Sequence, residues 1–192
     1  MEKRQPPTTQ SVIASEDPQQ DKLRTILAMC EKMNAERDLP ALFDLIAREA
    51  TRLMEADRTS IFLLATDKQE LWSQVALDSG PIRFDARLGV AGATALTRET
   101  INVSNAQNDR RFYPGADTQM HYRTRTILCV PLQTAGGNML GAFEVLDKKG
   151  GPFTKADEHI PRTLAAQMLV EIRCQRDSLL EENTQLRREV EE

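Results

Sequence analysis

The sequence predicts an α+β fold in which helices from both ends of the chain pack on one face of a central antiparallel sheet. Amphipathic helical segments precede residue 55, and a long helical segment follows residue 154. Between them, apolar residues occur in short alternating or β-branched runs, which are typical of strands. The other face of the sheet is expected to carry a ligand pocket under loops and short helices.

The first part of the chain is expected to form a tail and two helices. Residues 1–18 are rich in Pro, Gln, Thr and Ser and predict a flexible tail. Residues 19–37 carry apolar side chains at three- and four-residue steps, which indicates an N-terminal helix. Asp38 can cap the second helix. The apolar face of that helix is formed by Leu39, Leu42, Phe43, Ile46, Ala50, Leu53 and Met54.

Six short segments are predicted as strands: 59–64, 71–77, 82–84, 101–103, 126–132 and 139–146. In the second of these, simple alternation places Leu71, Val75 and Leu77 on one side. The glycine-rich turn at 135–138 joins the last two strands as antiparallel neighbours.

Two connections between the strands are long enough to carry structure of their own. The Gly-Val-Ala-Gly run at 89–92 is typical of a loop that leads into a short helix ending near Leu96. The polar segment 105–122 contains Pro114 and Gly115, so we expect a long loop or a broken helix over one sheet face.

The chain ends in a predicted long helix. Thr154 and Asp157 match a capping box, and Pro161 is expected either to kink the helix or to mark its true start. Residues 173–192 are predicted to form a coiled coil. Its d positions are Ile172, Leu179 and Leu186, and its a positions are Leu169, Arg176, Asn183 and Val190.

The heptad pattern predicts a homodimer. Asn183 at an a position favours a two-stranded parallel register, and Glu182 and Arg187 can pair across the dimer. Three heptads with the charged Arg176 at an a position make a weak coiled coil by themselves. The homodimer is therefore expected to need the N-terminal and C-terminal helices of the domain for firm pairing.

Composition excludes several classes of protein. The 25 basic and 29 acidic residues give a net charge of −4, which creates no field that attracts nucleic acid or anionic lipid. No apolar run reaches the roughly 20 residues that span a bilayer. The polar N-terminus does not resemble a secretion signal, so a cytoplasmic protein is expected.

The three cysteines do not predict metal binding. Cys30, Cys129 and Cys174 are far apart and form no Cys/His ligand spacing, and Cys129 in an apolar run is expected to be a small buried hydrophobe.

Four stretches carry a resemblance to a known family. They are Gly-Val-Ala-Gly at 89–92, Asp-Arg-Arg-Phe-Tyr at 109–113, the run 122–132, and Asp-Lys at 147–148 followed by Phe-x-x-x-Asp-Glu at 153–158. In this order they resemble the GAF domains of cyclic-nucleotide phosphodiesterases and bacterial adenylate cyclases. The resemblance covers residues 38–172 and implies the GAF fold.

The last stretch is similar to a motif of cyclic-nucleotide-binding GAF domains, in which a Lys and an Asp form an ion pair. The resemblance assigns this structural pair to Lys148 and Asp157. The first position of the motif is Asp147 here, where the family has Asn. Asp157 alternatively serves only the capping box.

The resemblance also implies a ligand-binding set. It assigns a ribose or phosphate contact to Thr124 and a base-edge acceptor to Glu144, although Glu144 could alternatively face solvent between Phe143 and Val145. The backbone of the 89–92 helix start would suit a cyclic phosphate. The full implied set is Ser60, Leu77, Asp78, Val90, Ala91, Tyr113, Asp117, Thr124 and Glu144.

Two of the family's ligand positions differ in this chain. Leu77 stands where an aromatic ring can stack on the base, and Met120 replaces a ribose-contacting Thr. Loss of one stacking ring would weaken base binding by about 1–3 kcal/mol, so the pocket could prefer a less polar ligand.

These features predict a non-enzymatic sensor that binds a small molecule, with cAMP or cGMP as the best candidate and no required cofactor. The signal would pass through the last helix to an output domain or protein. The alternatives are a ligand-free dimerisation scaffold, a sensor of another metabolite and, least favoured, a reductase of the free-methionine-sulfoxide type, which needs pocket cysteines.

Overall fold

The computed structural model describes residues 38–191 except residues 66, 68 and 77–81. The predicted tail and N-terminal helix, together with Leu77 and Asp78, lie outside this part of the chain. The helices are α1 (Leu39–Leu53), α2 (Gly89–Thr97), α3 (Pro114–Met120) and α4 (His159–Glu191), with a short 3₁₀ turn at Ala106–Asn108. The strands are β1 (Ala56–Leu64), β2 (Glu70–Ala76), β3 (Arg83–Asp85), β4 (Ile101–Val103), β5 (Ile127–Gln133) and β6 (Met139–Lys148).

The strands form one six-stranded sheet with the order β3-β2-β1-β6-β5-β4. All five neighbouring pairs are antiparallel. The longest strands, β1 and β6, lie at the centre, where seven residue pairs join them from Ala56–Lys148 to Leu63–Gly141. The predicted α+β class and antiparallel sheet are therefore confirmed.

Helices α1 and α4 cover one face of the sheet. The Asp38 side chain caps α1 by accepting a hydrogen bond from the Ala41 N–H at 3.3 Å. Apolar residues at helical spacing on α1, such as Leu42 and Ile46, are fully buried and pack with Leu164 and Met168 of α4 in one core cluster. We call this side of the sheet the helix face.

A β-bulge corrects one prediction from alternation. Leu71 belongs to the core of the opposite side, whereas Val75 belongs to the helix-face core. Between Ile61 and Phe62 of β1, the register against β2 shifts by one extra residue, since their partners are Val75 and Ser73. The extra residue reverses the alternation, so the two side chains point to opposite faces.

The Gly-Val-Ala-Gly run is part of a helix rather than the predicted loop. Helix α2 begins at Gly89, and a Cβ atom on Gly92 would lie 2.5 Å from the Ala86 carbonyl oxygen. Gly92 therefore permits close packing of the first helical turn against the preceding turn. The segment 105–122 forms the 3₁₀ turn and α3, which agrees with a broken helix.

The C-terminal helix begins at His159, two residues before Pro161, so this proline lies near the true start of the helix. The capping-box bonds form in the turn just before it: Thr154 N–H donates to Asp157 Oδ2 at 2.6 Å, and the Asp157 N–H lies 3.4 Å from Thr154 Oγ1. The side chains of Leu179 and Leu186 are 64% and 54% exposed in the single chain.

None of the helices in the described residues is long and apolar enough to cross a membrane.

Candidate functional site

A cavity of about 50 Å³ lies on the face of the sheet opposite α1 and α4. We call this side the cavity face. Strands β1, β3 and β6 form its floor, and the first turn of α2 and the segment around α3 form its roof. Its lining residues are Ser60, Phe62, Ile82, Phe84, Gly89, Val90, Ala91, Phe112, Tyr113, Ala116, Asp117, Thr124, Ile127, Glu144 and Leu146.

Seven members of the predicted ligand-binding set meet around this cavity. They are Ser60, Val90, Ala91, Tyr113, Asp117, Thr124 and Glu144. Leu77 and Asp78 belong to the same set but lie outside the described residues. The residues come from β1, α2, α3, β6 and the connections around α3. Their role in ligand binding stays a prediction.

Glu144 is placed in the cavity wall by the register of the sheet. Its neighbours across β1 and β5 are Ser60 and Cys129, while the adjacent Phe143 and Val145 are fully buried in the helix-face core. Burial, and to a lesser extent the charge of Asp117, raise the pKa of Glu144 to about 7. Glu144 is therefore directed into the cavity rather than into bulk solvent.

Asp117 of α3 anchors the roof of the cavity. Its carboxylate accepts hydrogen bonds from the Thr124 N–H at 2.9 Å and from the Thr124 hydroxyl at 2.6 Å. Gln107 donates to the Thr124 carbonyl oxygen at 2.9 Å and to Asp117 at 3.3 Å. These bonds join the 3₁₀ turn, α3 and the start of β5 into one unit, which we call the roof segment (residues 106–126).

Aromatic rings form a second part of the wall, and of these the sequence analysis assigned Tyr113 but not Phe62 or Phe84. The rings of Phe62 and Phe84 meet edge to face with centroids 5.2 Å apart, and Phe84 lies 6.2 Å from the Tyr113 ring. Alternation along β1 contained the signal for Phe62, since it lies two residues after Ser60. The described part of the cavity wall therefore contains the rings of Phe62, Phe84 and Tyr113.

A network of buried and partly buried hydrogen bonds connects the roof segment to the end of β6. Asp147 accepts bonds from the N–H groups of Arg125 at 2.8 Å and Thr126 at 2.7 Å, and from the Tyr122 hydroxyl at 2.6 Å. Asp147 has a φ angle of +55°, a conformation that Asn and Asp adopt more readily than most residues. Burial and the bond to Asp147 raise the pKa of Tyr122.

Lys148, the residue after Asp147, forms the ion pair with Asp157 that the resemblance implied. Lys148 Nζ lies 2.6 and 2.7 Å from the two carboxylate oxygens of Asp157. Burial opposes ionisation of Asp157, but the bonds from Lys148 and Thr154 outweigh it and lower its pKa. Since Thr154 also bonds to Asp157, the ion pair and the capping box act together.

The cysteines in the described residues lie in different surroundings. Cys129 is buried in β5, where burial raises the pKa of its thiol, and Cys174 is exposed on α4. Cys30 lies outside the described residues. A raised pKa keeps Cys129 in the unreactive thiol form. The described residues contain no group of three or more His, Cys, Asp or Glu that could hold a metal ion.

Comparison with known families assigns this architecture. The model of the GAF domain matches residues 38–172. The chain belongs to the GAF domain family.

A curated relative of this GAF domain is the "Probable 3',5'-cyclic phosphodiesterase pde-5" of Caenorhabditis elegans, which is 34% identical over 57% of this chain. The match covers 17% of that phosphodiesterase, and the chain spans about a sixth of the length of the curated relatives it matches.

Solved structures show the same fold. The GAF domain of a phosphoenolpyruvate-protein phosphotransferase from Coxiella burnetii superimposes with a TM-score of 0.75 at 18% identity, covering 84% of this chain and 98% of that one. Free methionine-R-sulfoxide reductase from Neisseria meningitidis has a TM-score of 0.71 at 17% identity, covering 86% of this chain and 96% of that one. At these identities the likeness shows the fold alone.

Proposed function

We propose that this GAF domain is a cytoplasmic, non-enzymatic sensor that binds a small ligand in the cavity and relays binding through a dimeric C-terminal helix. The observation that carries the proposal is the cavity itself. It combines aromatic walls, an inward-facing Glu144 and a roof segment that is hydrogen-bonded as one unit. Such a mixture of apolar walls with a few polar groups is typical of small-molecule sites.

A cyclic nucleotide is the proposed ligand. Among the described residues, no side chain caps the N-terminus of α2, whose Val90 and Ala91 line the cavity, so the N–H groups of its first turn can receive a phosphate. Glu144 offers an acceptor for the N–H groups of a base, and the rings offer stacking surfaces. The similarity to a protein named as a 3',5'-cyclic phosphodiesterase supports the same ligand class.

Ligand entry would require the roof segment to move. A volume of 50 Å³ corresponds to about three to five water-sized probes, which is much smaller than a nucleotide. Tyr113 and Phe112 precede α3, and Asp117 fixes it to Thr124. A ligand that lifts α3 would therefore disturb this bond first.

The relay would follow the bonds that leave the roof segment. Arg125 and Thr126 bond to Asp147, and its neighbour Lys148 is paired with Asp157, which precedes α4. A displacement of the roof could thus change the position of α4. Leu179 and Leu186 are exposed and would pair with a second copy of the chain, whose changed pairing carries the signal to an output domain or protein.

The small cavity also favours a second candidate, a ligand-free dimerisation scaffold. A cavity of this size can persist without an organic ligand, and the heptads would then supply the main function.

Thermal unfolding of the dimeric protein with millimolar cAMP, cGMP, AMP and a panel of small metabolites would separate these candidates. A ligand that binds only the folded state at 100 times its Kd adds about 2.7 kcal/mol, which raises the unfolding midpoint by several degrees. The sensor proposal expects a selective shift that Glu144→Ala or Thr124→Ala abolishes and Glu181→Ala, on the exposed part of α4, preserves.

Sedimentation equilibrium and a distance measurement between labels on the two α4 helices complete this experiment. The sensor proposal expects a dimer whose interhelical distance changes with ligand. A dimer that responds to no compound would support the scaffold instead, and a monomer at all concentrations would contradict both candidates.

A further inference from the structure

We propose that residues 19–37, the N-terminal segment, pack along the outer part of helix α4 of the same chain. We call that part of α4, residues 173–188, the stalk. Each subunit would then contribute two antiparallel helices to the stalk rather than one. The inference goes beyond the proposed function, because it concerns the surface of α4 and holds with or without a ligand in the cavity.

The stalk carries an apolar stripe that is wider than a coiled-coil seam. The side chains of Leu179, Leu180 and Leu186 are 64%, 59% and 54% exposed in the single chain. At 3.6 residues per turn, these three leucines span an arc of about 120° around the helix. A two-stranded coiled coil covers a narrower seam, and an arc of this width is typical of a helix that faces a core of several elements. A single partner helix therefore leaves part of the stripe in water.

The N-terminal segment has a matching stripe and sufficient length. Its apolar residues recur at three- and four-residue steps and would occupy an arc of about 120° on a helix. They are Leu23, Ile26, Leu27, Cys30 and Met33. As a helix the segment would span about 28 Å, whereas Leu186 lies only about 21 Å along α4 from Ile172. The segment can therefore cover the whole apolar stripe.

Helices α1 and α4 are antiparallel neighbours on the helix face. Two residues separate α1 from β1, and the second of them, Glu55, accepts a hydrogen bond from the Lys149 N–H at 2.7 Å. Helix α1 therefore ends beside the end of β6. Helix α4 begins at the same end of the sheet, because the ion pair between Lys148 and Asp157 joins its start to β6.

The opposite end of the sheet is where α4 leaves the domain and where the chain enters α1. The groove between α4 and the far end of β5 includes Gln133. Ile172 is the last described residue of α4 that packs against the helix-face core, and Leu39, the first residue of α1, packs against the same core. Asp38 caps α1 with an extended backbone (φ −93°, ψ 113°), so a preceding helix can change direction there. The N-terminal segment thus meets the domain at the base of the stalk.

The position of α1 determines which edge of the stripe the segment covers. Leu179 and Leu186 continue the line of Ile172, which packs in the core shared with α1. Leu180 continues the line of Leu169, which lines the groove on the β5 side, away from α1. The N-terminal segment therefore packs beside Leu179 and Leu186 from the side of α1. The second copy reaches the same leucines from the side of Leu180.

Native Cys30, in the apolar stripe of the segment, provides the test. Cys174→Ser removes the exposed cysteine of α4, and Cys129 is buried, so neither competes for a thiol reagent. Nine residues separate Cys30 from Leu39, and nine residues along α4 from Ile172 lead to Glu181. An antiparallel arrangement therefore places Cys30 within about one turn of residues 181 and 182.

Glu182→Cys and Glu181→Cys form a matched pair of variants in the Cys174→Ser background. The first places a thiol beside the stripe on the side of α1, and the second places one at the same level on the far side of the helix. A short bis-maleimide should link Cys30 to the thiol at 182 at least about tenfold faster than to the thiol at 181. Mixing nitrogen-15-labelled and unlabelled chains identifies links between chains by their mixed peptide pairs, and we expect unmixed pairs.

Hydrogen exchange of the stalk gives a second readout that needs no added cysteine. Ile26→Asp puts a charge into the apolar stripe of the segment, and Thr25→Asp puts the same charge outside it. Amides of residues 176–188 should exchange at least about tenfold faster in Ile26→Asp than in Thr25→Asp, the factor expected from the loss of one buried aliphatic side chain. Unchanged exchange in β1 and β6 would verify that both variants are folded.

Several results would overturn the inference. Equal linking rates at 181 and 182, or equal exchange in the two aspartate variants, would mean that the N-terminal segment does not lie on this surface. Links found only in mixed peptide pairs would assign the surface to the segment of the second copy. Protection of residues 176–188 that is lost on dilution to a monomer would leave the second copy as their cover. None of these results bears on ligand binding, which the thermal shift tests separately.

Discussion

The two faces of the central sheet share one backbone but bury different kinds of side chain. The helix face is packed with fully buried aliphatic and aromatic side chains, among them Leu42, Phe143 and Leu164. The cavity face carries a cavity and buries hydroxyl and carboxyl groups at Ser60, Asp117 and Thr124. The comparison teaches that one face supplies the stability that allows the other to keep polar groups and a cavity, both of which lower the free energy of unfolding.

The largest expected difference between the faces concerns their aromatic residues. Phe143→Ala on the helix face should lower the free energy of unfolding by about 3–5 kcal/mol, because it leaves a cavity in a closely packed core. Phe84→Ala on the cavity face should cost about 1 kcal/mol, because Phe84 is partly exposed and borders an existing cavity. Urea denaturation of both variants measures the difference, and equal losses would remove the proposed division between the faces.

The second effect is the dependence of stability on pH that Glu144 causes. Its pKa is raised from 4.5 to about 7 in the folded protein, so the folded state binds the proton more tightly than the unfolded state. Stability from this group is present below about pH 4.5 and is lost as the pH rises to 7, by about 3 kcal/mol at most.

Glu144→Gln should abolish this loss, so that the variant is more stable than the parent protein at pH 8 and similar at pH 5. Urea midpoints at several pH values provide the measurement, with Glu181→Gln as the matched exposed control. A pH profile that Glu144→Gln leaves unchanged would mean that the carboxyl group is not held in an unfavourable environment on the cavity face.

The smallest of the three effects concerns the ion pair between Lys148 at the end of β6 and Asp157 before α4. Lys148→Met should lower the free energy of unfolding by about 1.5–3 kcal/mol, since it removes a charge-assisted hydrogen bond and leaves Asp157 partly buried. Lys155→Met, at a side chain that is 87% exposed and paired with Glu158, should change it by no more than about 0.5 kcal/mol.

A double variant with Asp157→Asn measures the coupling between the two partners of this pair. If Lys148→Met and Lys155→Met have equal effects, the ion pair contributes no more than an ordinary surface charge.

Sequence periodicity predicted most of the fold because burial on one side imposes a regular spacing. The apolar spacing of α1 follows from this rule. The pairing of β5 with β6 followed from the glycine-rich turn between them, and the start of α4 followed from the position of Pro161. The same rule failed at β2, where one extra residue in the bulge places Leu71 and Val75 on opposite faces. Periodicity cannot register an insertion that only the partner strand reveals.

The candidate site was predictable only in part. Resemblance to the family assigned Glu144, Asp117 and Thr124, which meet in one cavity although they are distant in sequence. The sequence did not reveal that Phe84 belongs to the cavity wall, because Phe84 lies on a three-residue edge strand that is too short to show a pattern. The sequence also did not predict the hydrogen bonds of Asp147, because its left-handed backbone conformation and its three donors arise from the tertiary structure.

Helix α4 has a mechanical consequence that follows from its continuity over 33 residues. At 1.5 Å per residue it is a rod of about 50 Å, and among the described residues its contacts with the helix-face core lie between Ile160 and Ile172. A tilt of about 5° of the part beyond Ile172, which is about 30 Å long, would displace its far end by about 2.5 Å, more than the rise of one residue. The helix thus acts as a lever arm, in which a movement too small to disturb the core becomes large enough at the tip to change which side chains face each other.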